Sequence, residues 1–379
     1  MTYVFVGLGF MAFLSASMLA IDVGMLMTAR NQAQNSADAG ALAGAVALAF
    51  DNFNDRSATG PAVTSAISAA TANQVMSGNV TVQPQDVEFL DDEFGDPTRV
   101  KVTVYRRAST EPGRNNPIQT LIARYFGMAT ADVAATATAE ASPANAMTCV
   151  KPFTIPDKWQ ENTEEPWDSS DTFDAFDNRG DPIPGGDVYI PATNPDGSSN
   201  PNYTGYNNER ERGERLMLRA DNGSKITVSF YFSIAIAGIT GGSEYDWNIA
   251  NCNTHIMERD DLLLHEPGAM VGPTVSGIEA LIAKDPNATW DIANKRVTGS
   301  QFPGQSPRVF PIPLYDPVFY ESGKRNGREA DLMVANWIGF FAEEVVGSQI
   351  YGRIIPIAGI RTGNNAPDGL FPRAIRLVK

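Results

Sequence analysis

Two histidines, His255 and His265, and two cysteines, Cys149 and Cys252, are all the imidazole and thiol chemistry in 379 residues. A Ser-His-Asp triad would have to use one of the two histidines, and no G-x-S-x-G turn accompanies either. Cys252-x-x-His255 could open a metal site, but only Cys149 and His265 remain to complete a zinc ligand set. Between Trp167 and Asp187 stand six aspartates: Asp168, Asp171, Asp174, Asp177, Asp181 and Asp187. Calcium takes several oxygens, and an Asp-rich loop supplies them. The EF-hand spacing with its central Gly and terminal Glu is absent, however, so the stretch reads as a solvated acidic loop with Ca2+ as the alternative. Glu343 and Glu344 are adjacent, and on a strand they would face opposite ways and could not act together. Gly323-Lys324 lacks the rest of a phosphate-binding loop. No catalytic, cofactor-binding or metal residue is assigned, and the chain reads as a non-enzyme without a cofactor.

One more motif, at the other end of the chain, has a chemical reading. Gly7-Leu8-Gly9-Phe10-Met11-Ala12 has the form G-x-G-x-x-A, a dinucleotide fingerprint. That fingerprint needs a helix and then a second strand ending in an acidic residue about 20 positions on. Asp22 comes too soon, and Val23 to Phe50 reads as helix. The glycines fit better as small residues in a membrane helix.

The element carrying them is the most distinctive in the chain. Tyr3 to Ile21 is uncharged and as a helix would extend roughly 28 Å at about 1.5 Å per residue. The hydrocarbon core of a bilayer is ~30 Å thick. A membrane anchor is the leading reading. A secretory signal, whose basic start is missing here, and a buried core helix are the alternatives. The first basic residue is Arg30, so flanking charge does not orient the span. Asp22 marks the place where the segment leaves the lipid, since a carboxylate in the bilayer centre is costly. Beyond it Ala29, Ala33, Ala37, Gly40, Ala41, Gly44 and Ala45 recur at helical spacing. Gly40-x-x-x-Gly44 allows two helix backbones to approach closely, either within the same domain or on another subunit.

Ala20-Ile21-Asp22-Val23-Gly24, then Arg30, Gln34 and Asn35-Ser36-Ala37-Asp38-Ala39-Gly40-Ala41-Leu42-Ala43-Gly44-Ala45, resembles the N-terminal signature of TadE/TadG-like Flp (tight adherence) pilus-assembly proteins. The resemblance carries onto Asp22, Gly24, Arg30, Gln34, Ala37, Asp38, Gly40, Ala41 and Gly44. It implies a single-pass protein of the bacterial inner membrane with its body in the periplasm or at the cell surface. The implied partners are membrane lipid and other pilus-assembly or pilin subunits, met through the N-terminal helix. The implied roles are pilus biogenesis and surface adhesion. The Arg-rich preamble usual before the apolar segment is absent, which reads as a truncated start. In the N-terminal segment no Gly is followed five residues on by Glu, so processing by a prepilin peptidase is not supported. A looser similarity to longer TadG-type proteins runs through Cys149 to Trp159 and from Cys252 through Glu266-Pro267-Gly268 to Trp290. The D-x-S-x-S metal motif of their von Willebrand A-type modules is not met by Asp168-Ser169-Ser170-Asp171-Thr172.

The expected class is α+β in three parts. Residues 1–50 form the anchor and small-residue helix, 51–145 a small pilin-like α+β unit, and 146–379 a larger strand-rich extracytoplasmic domain. In the second part, Pro61 to Ser77 reads as a helix. Val80–Leu90 and Thr98–Arg106 read as strands joined by an Asp91–Asp96 turn, and a helix follows Pro117 with Ile118, Leu121, Ile122, Tyr125 and Phe126 as its core face. Ala129–Ala141 is the third strand. In the third part, Leu216–Ala220, Lys225–Ile239, Val309–Ile312, Met333–Phe341 and Gln349–Ile360 read as strands and Thr274–Lys284 as a helix. A net charge of −15 argues against nucleic acid, which needs clustered Lys and Arg. An anchor would deliver the body to an oxidising compartment, where a Cys149–Cys252 disulfide is expected. The rival to the pilus reading is a membrane-tethered extracytoplasmic enzyme or ligand-binding module.

Overall fold

The computed structural model describes residues 2–378 except 53, 93–96, 164–166, 221–224, 325–330, 364–365 and 368. The expected Asp91–Asp96 turn lies partly outside the described residues. The chain divides into two compact units, Met1–Ser142 with Ile375–Lys379, and Pro143–Ala374. The sequence suggested boundaries at 50 and 145. Compactness instead keeps the N-terminal helix with the residues that follow it and brings the last five residues into the same unit.

The first unit begins with one continuous helix, α1 (Thr2–Phe50). No proline interrupts it, and Ala, Leu and Met supply helix propensity along its length. It stops where Asn52 Oδ1 accepts the backbone N–H groups of Asn54 and Asp55, at 3.0 and 3.2 Å, a local bond that competes with the helical ladder. Helix α2 (Pro61–Ala72) follows, with Pro61 in its first turn where the missing N–H costs nothing.

Both helices lie against an antiparallel sheet of β1 (Val87–Leu90), β2 (Arg99–Arg106) and β3 (Val133–Pro143). The final strand, Arg373–Val378, takes the outer edge beside β3. On β2, Val100, Val102 and Val104 point inward, while Arg99, Lys101 and Thr103 remain partly exposed, the period-2 pattern of a half-covered strand. Their β3 partners are small, Ala139, Ala137 and Ala135, which leaves room for α1 to pack against β2.

The stretch after Pro117 differs from the expected helix. Ile118–Gln119 pairs as a short strand with Thr130–Ala131, and only Ala123–Phe126 coils, as a 3-10 turn ended by Gly127 at φ +89°. Ile118 is buried, but Leu121, Tyr125 and Phe126 are 55%, 75% and 65% exposed. Neither the helix nor the core face expected of 118–126 forms.

The second unit is built on a seven-stranded sheet. Its strands are β4 (Phe153–Pro156), β5 (Arg215–Ala220), β6 (Phe230–Ala235), β7 (Leu262–His265), β8 (Val309–Tyr315), β9 (Leu332–Val346) and β10 (Gln349–Ile355). Their order is β5-β10-β9-β7-β6-β4-β8, and a further β8–β9 pairing closes the sheet into a barrel. The 15-residue β9 carries Trp337, Ile338, Phe340 and Phe341 into the interior. There Phe310, Ile312, Leu314, Phe153 and Ile155 are likewise buried. The expected strand Lys225–Ile239 is shorter, because Ile236–Gly238 turns as a 3-10 segment with Ala237 at φ 55°. The last expected strand ends at Ile355 because Pro356 has no N–H to continue a ladder. Helices α3 (Gly242–Ala250) and α4 (Val271–Lys284) pack on each other beside the sheet.

Candidate functional site

The signature residues lie on α1. Ala29, Ala33, Ala37, Ala41 and Ala45 recur every four residues and are all buried. Residues four apart share a helix face, so this alanine stripe is a continuous seam. Ala62, Ala66 and Ala70 form the matching buried stripe on α2. Where the two helices meet, there is no room for a side chain. A Cβ on Gly40 would stand 2.9 Å from Ala70 Cβ and 3.0 Å from the Ala66 carbonyl oxygen. One on Gly44 would stand 2.8 Å from Val100 Cγ1 and 3.2 Å from Ala66 Cβ. The Gly40-x-x-x-Gly44 seam is therefore filled by the unit's own α2 and β2. Of the two candidate surfaces, its own domain and another subunit, the seam faces the first.

Polar residues pin the same contact. Ser36 Oγ donates to the Ala70 carbonyl at 2.5 Å, and Gln32 Oε1 accepts the Met76 N–H at 2.8 Å. Gln34 Nε2 donates to Asp38 Oδ1 at 2.9 Å and to the Thr136 carbonyl at 3.1 Å. Gln34 thus fastens α1 to β3, and Asp38 one turn along the same helix holds its amide. Arg30 is exposed. A Cβ on Gly24 would meet nothing within 4 Å, and the Gly24 carbonyl accepts Thr28 Oγ1 at 3.0 Å.

Asp22 has a role that its position alone does not reveal. Its side chain is 3% exposed, and its carboxylate accepts three backbone N–H groups. Oδ1 takes Leu121 at 2.8 Å, while Oδ2 takes Ile122 at 3.0 Å and Ala123 at 2.5 Å. These N–H groups lead into the 123–126 turn, whose N-cap is Ile122 and whose first N–H, on Ala123, has no acceptor within the turn. An aspartate about a hundred residues away in sequence thus does the work of an N-cap. The turn carries no side-chain cap of its own, and the only sequence signal for the pairing is an uncapped apolar segment.

N-terminal to Asp22 the helix is unlike the rest. Phe5, Phe10, Met11 and Phe13 are 62–70% exposed, on a stretch apolar enough to cross a membrane. A buried core helix would not leave such a run uncovered.

The stretch that has this geometry, an exposed apolar half followed by a sequestered small-residue half, also carries a family match. Residues 1–47 match the family described as putative Flp pilus-assembly TadE/G-like. The N-terminal segment is similar to that pilus-assembly family. Comparison with curated proteins and with solved structures finds no match. The matched stretch contains every signature residue named above and ends three residues short of the end of α1, so it makes the seam with α2 but includes none of the sheet.

The remaining sequence candidates fall in the second unit. Cys149 and Cys252 are joined in a disulfide, so Cys252 is not available to pair with His255 at a metal. His265 lies on β7 with its ring 5.5 Å from Phe232. In the acidic loop the carboxylates bind their own backbone. Asp168 Oδ1 accepts Ser170 N–H, Asp171 Oδ2 accepts Asp168 N–H, and Asp177 Oδ1 accepts Arg179 and Asp181 N–H. Asp187 accepts Asn162 and Asp174 N–H, and burial together with neighbouring Glu161 pushes its carboxyl up to about 6. Among the described residues, no three His, Cys, Asp or Glu side chains stand together as metal ligands.

Glu343 and Glu344 do not face opposite ways. The ladder between β9 and β10 slips between Ala342 and Glu344, and such a bulge re-aims a side chain. Both then reach Arg215, Glu343 at 3.0 Å and Glu344 at 2.7 Å. Their shared work is to bind β5 across β10.

Two buried polar clusters were not legible beforehand. Asp157 is fully buried and accepts Tyr203 Oη at 2.5 Å, Tyr189 Oη at 3.1 Å and the N–H groups of Tyr206 and Lys158. Burial raises its carboxyl to about 6 despite those four donors. Lys151 Nζ donates to the carbonyls of Asn248, Ile249 and Asn251 at the C-terminal end of α3, where a cation complements the helix dipole. Burial and nearby Lys284 push its amine down to about 7.

Proposed function

We propose that this chain is a non-enzymatic, membrane-anchored component of a Tad/Flp-type pilus assembly or secretion apparatus, acting in pilus biogenesis and surface adhesion. The anchor is the Tyr3–Ile21 stretch of α1, held in the bacterial inner membrane, with the body in the periplasm or at the cell surface. The observation that carries the reading is the division of α1 at Asp22. Apolar side chains are exposed before it, and small residues are packed into the unit after it. A TadE/G-like domain with this division is built to be held in lipid at one end and to support a folded body at the other.

The division also refines the partner surface. The Gly40–Gly44 seam is occupied within the chain, so other pilus-assembly or pilin subunits meet the exposed apolar half of α1 instead. The disulfide supports placement of the body in an oxidising compartment. No cofactor is assigned, and the acidic loop's carboxylates are read as turn-forming acceptors.

A reporter that is active only outside the cytoplasm, fused after residue 379, is expected to be active, and cytoplasmic activity would overturn the anchor. Deleting the chain is expected to reduce pili and adhesion. Unchanged pili and adhesion would favour a tethered enzyme or ligand-binding module.

A further inference from the structure

The apolar residues left exposed by the 121–128 turn sit at a particular level along α1. Among the described residues, Asp22 is the first buried one along the helix, and it is hydrogen-bonded to the backbone of Leu121, Ile122 and Ala123. The turn is therefore held at the edge of the first unit nearest the apolar span, one residue beyond Ile21. There Leu121, Tyr125, Phe126 and Met128 are 55–75% exposed. Arg124 accompanies them, its guanidinium 4.9 Å from the Tyr125 ring and donating to Tyr125 Oη at 3.0 Å. An exposed aromatic and aliphatic tip beside an Arg–Tyr pair has the composition of a membrane–water interface, where amphipathic rings sit at headgroup level and long cationic side chains reach the phosphates.

We infer that the 121–128 turn is a second membrane contact, seated in the headgroup layer of the bilayer that α1 spans, with Asp22 as the clamp that sets its depth. Leu121, Tyr125, Phe126 and Met128 enter the interface, and Arg124 meets lipid phosphate. This explains why a predicted core face is exposed, and why a carboxylate at the end of the span is spent on capping a distant turn. Two contacts fix the tilt of the unit on the membrane, which a single helix leaves free. The inference rests on the membrane-anchor reading of α1.

The test uses the full chain in vesicles of phosphatidylethanolamine and phosphatidylglycerol. An environment-sensitive fluorophore is attached through Phe126→Cys, with Phe10→Cys and Ser57→Cys as references. The native cysteines stay oxidised and unlabelled. Nitroxide lipids quench either at the headgroup or at mid-chain. The expected result is mid-chain quenching at position 10, headgroup quenching with blue-shifted emission at 126, and neither at 57. Adding Leu121→Ser and Tyr125→Ser to the Phe126→Cys chain is expected to reduce the headgroup quenching. If position 10 is quenched and 126 behaves like 57, the interfacial contact is overturned while the anchor stands. If position 10 is not quenched either, both readings fall. A label at 126 that is shielded from water yet insensitive to both lipids would mean that protein covers the turn, and this also overturns the inference.

Discussion

The seam between α1 and α2 yields a prediction in which two opposing effects can be weighed. Replacing glycine by alanine inside a helix contributes about 0.8–1 kcal/mol through propensity. Gly24 and Gly40 are both interior to α1, so that gain is common to both. At Gly24 the new methyl meets nothing within 4 Å, and Gly24→Ala keeps the whole gain. At Gly40 it arrives 2.9 Å from Ala70 Cβ and 3.0 Å from the Ala66 carbonyl oxygen. Neither atom is the end of a flexible side chain, so α2 itself must move. Overpacking of this kind typically costs about 1–3 kcal/mol. Gly40→Ala is therefore expected to be net destabilising by about 1 kcal/mol, and to lie about 2 kcal/mol below Gly24→Ala. By the tenfold-per-1.4 kcal/mol rule this is a roughly 30-fold difference in the opening equilibrium of the seam. Amide hydrogen exchange on the full chain in lipid nanodiscs reads it directly. Peptides covering α2 should exchange faster in Gly40→Ala and no faster than wild type in Gly24→Ala, with peptides of the second unit unchanged in both. If Gly40→Ala protects α2 as well as Gly24→Ala does, the seam is not close-packed and the assignment of the small-residue stripe to α2 is wrong.

Asp22→Ala leaves three N–H groups without their acceptor, and loss of a cap costs about 1 kcal/mol. Exchange at 121–126 should rise while α2 stays protected, and equal exchange in variant and wild type would contradict the capping role. The Cys149–Cys252 bridge closes a loop with a sequence separation of 103 residues, worth up to about 4–5 kcal/mol by chain entropy. Cys149→Ser with Cys252→Ser should lower the melting transition of the second unit and spare the first, as followed by domain-resolved proteolysis; unaltered proteolysis of 143–374 would refute it. Asp157 is raised from 3.8 to about 6 by burial, so between those values the folded state binds more protons than the unfolded one. The contribution of Asp157 to the stability of the second unit should fall as pH rises through that window, by about 3 kcal/mol at 1.36 kcal/mol per pKa unit, in the same direction as that of Asp187, which is likewise raised to about 6. Urea midpoints measured across it should show that slope in the wild type and a flatter one in Asp157→Asn. Equal slopes would exclude Asp157 as its source.

Much of this protein is written locally. The uncharged run from Tyr3 to Ile21, the four-residue recurrence of Ala29 to Ala45 and the valine alternation of β2 each follow from periodicity, because burying one face of a helix or strand imposes it. The family signature is likewise local, a fixed order of residues on one helix. Periodicity reports that a face is covered without naming what covers it. Only the tertiary structure decided that Gly40 and Gly44 meet α2 and β2, that the final strand returns to the first unit, and that the apolar spacing of 118–126 belongs to an exposed turn. Glu343 and Glu344 were misread for a related reason, since a bulge is set by the register of a neighbouring strand and leaves no mark in the two residues themselves. Asp22 shows the limit most clearly. Its charge predicted where the apolar span must stop, but its partners are backbone amides about a hundred residues away, donors that every sequence carries and that only the fold can aim.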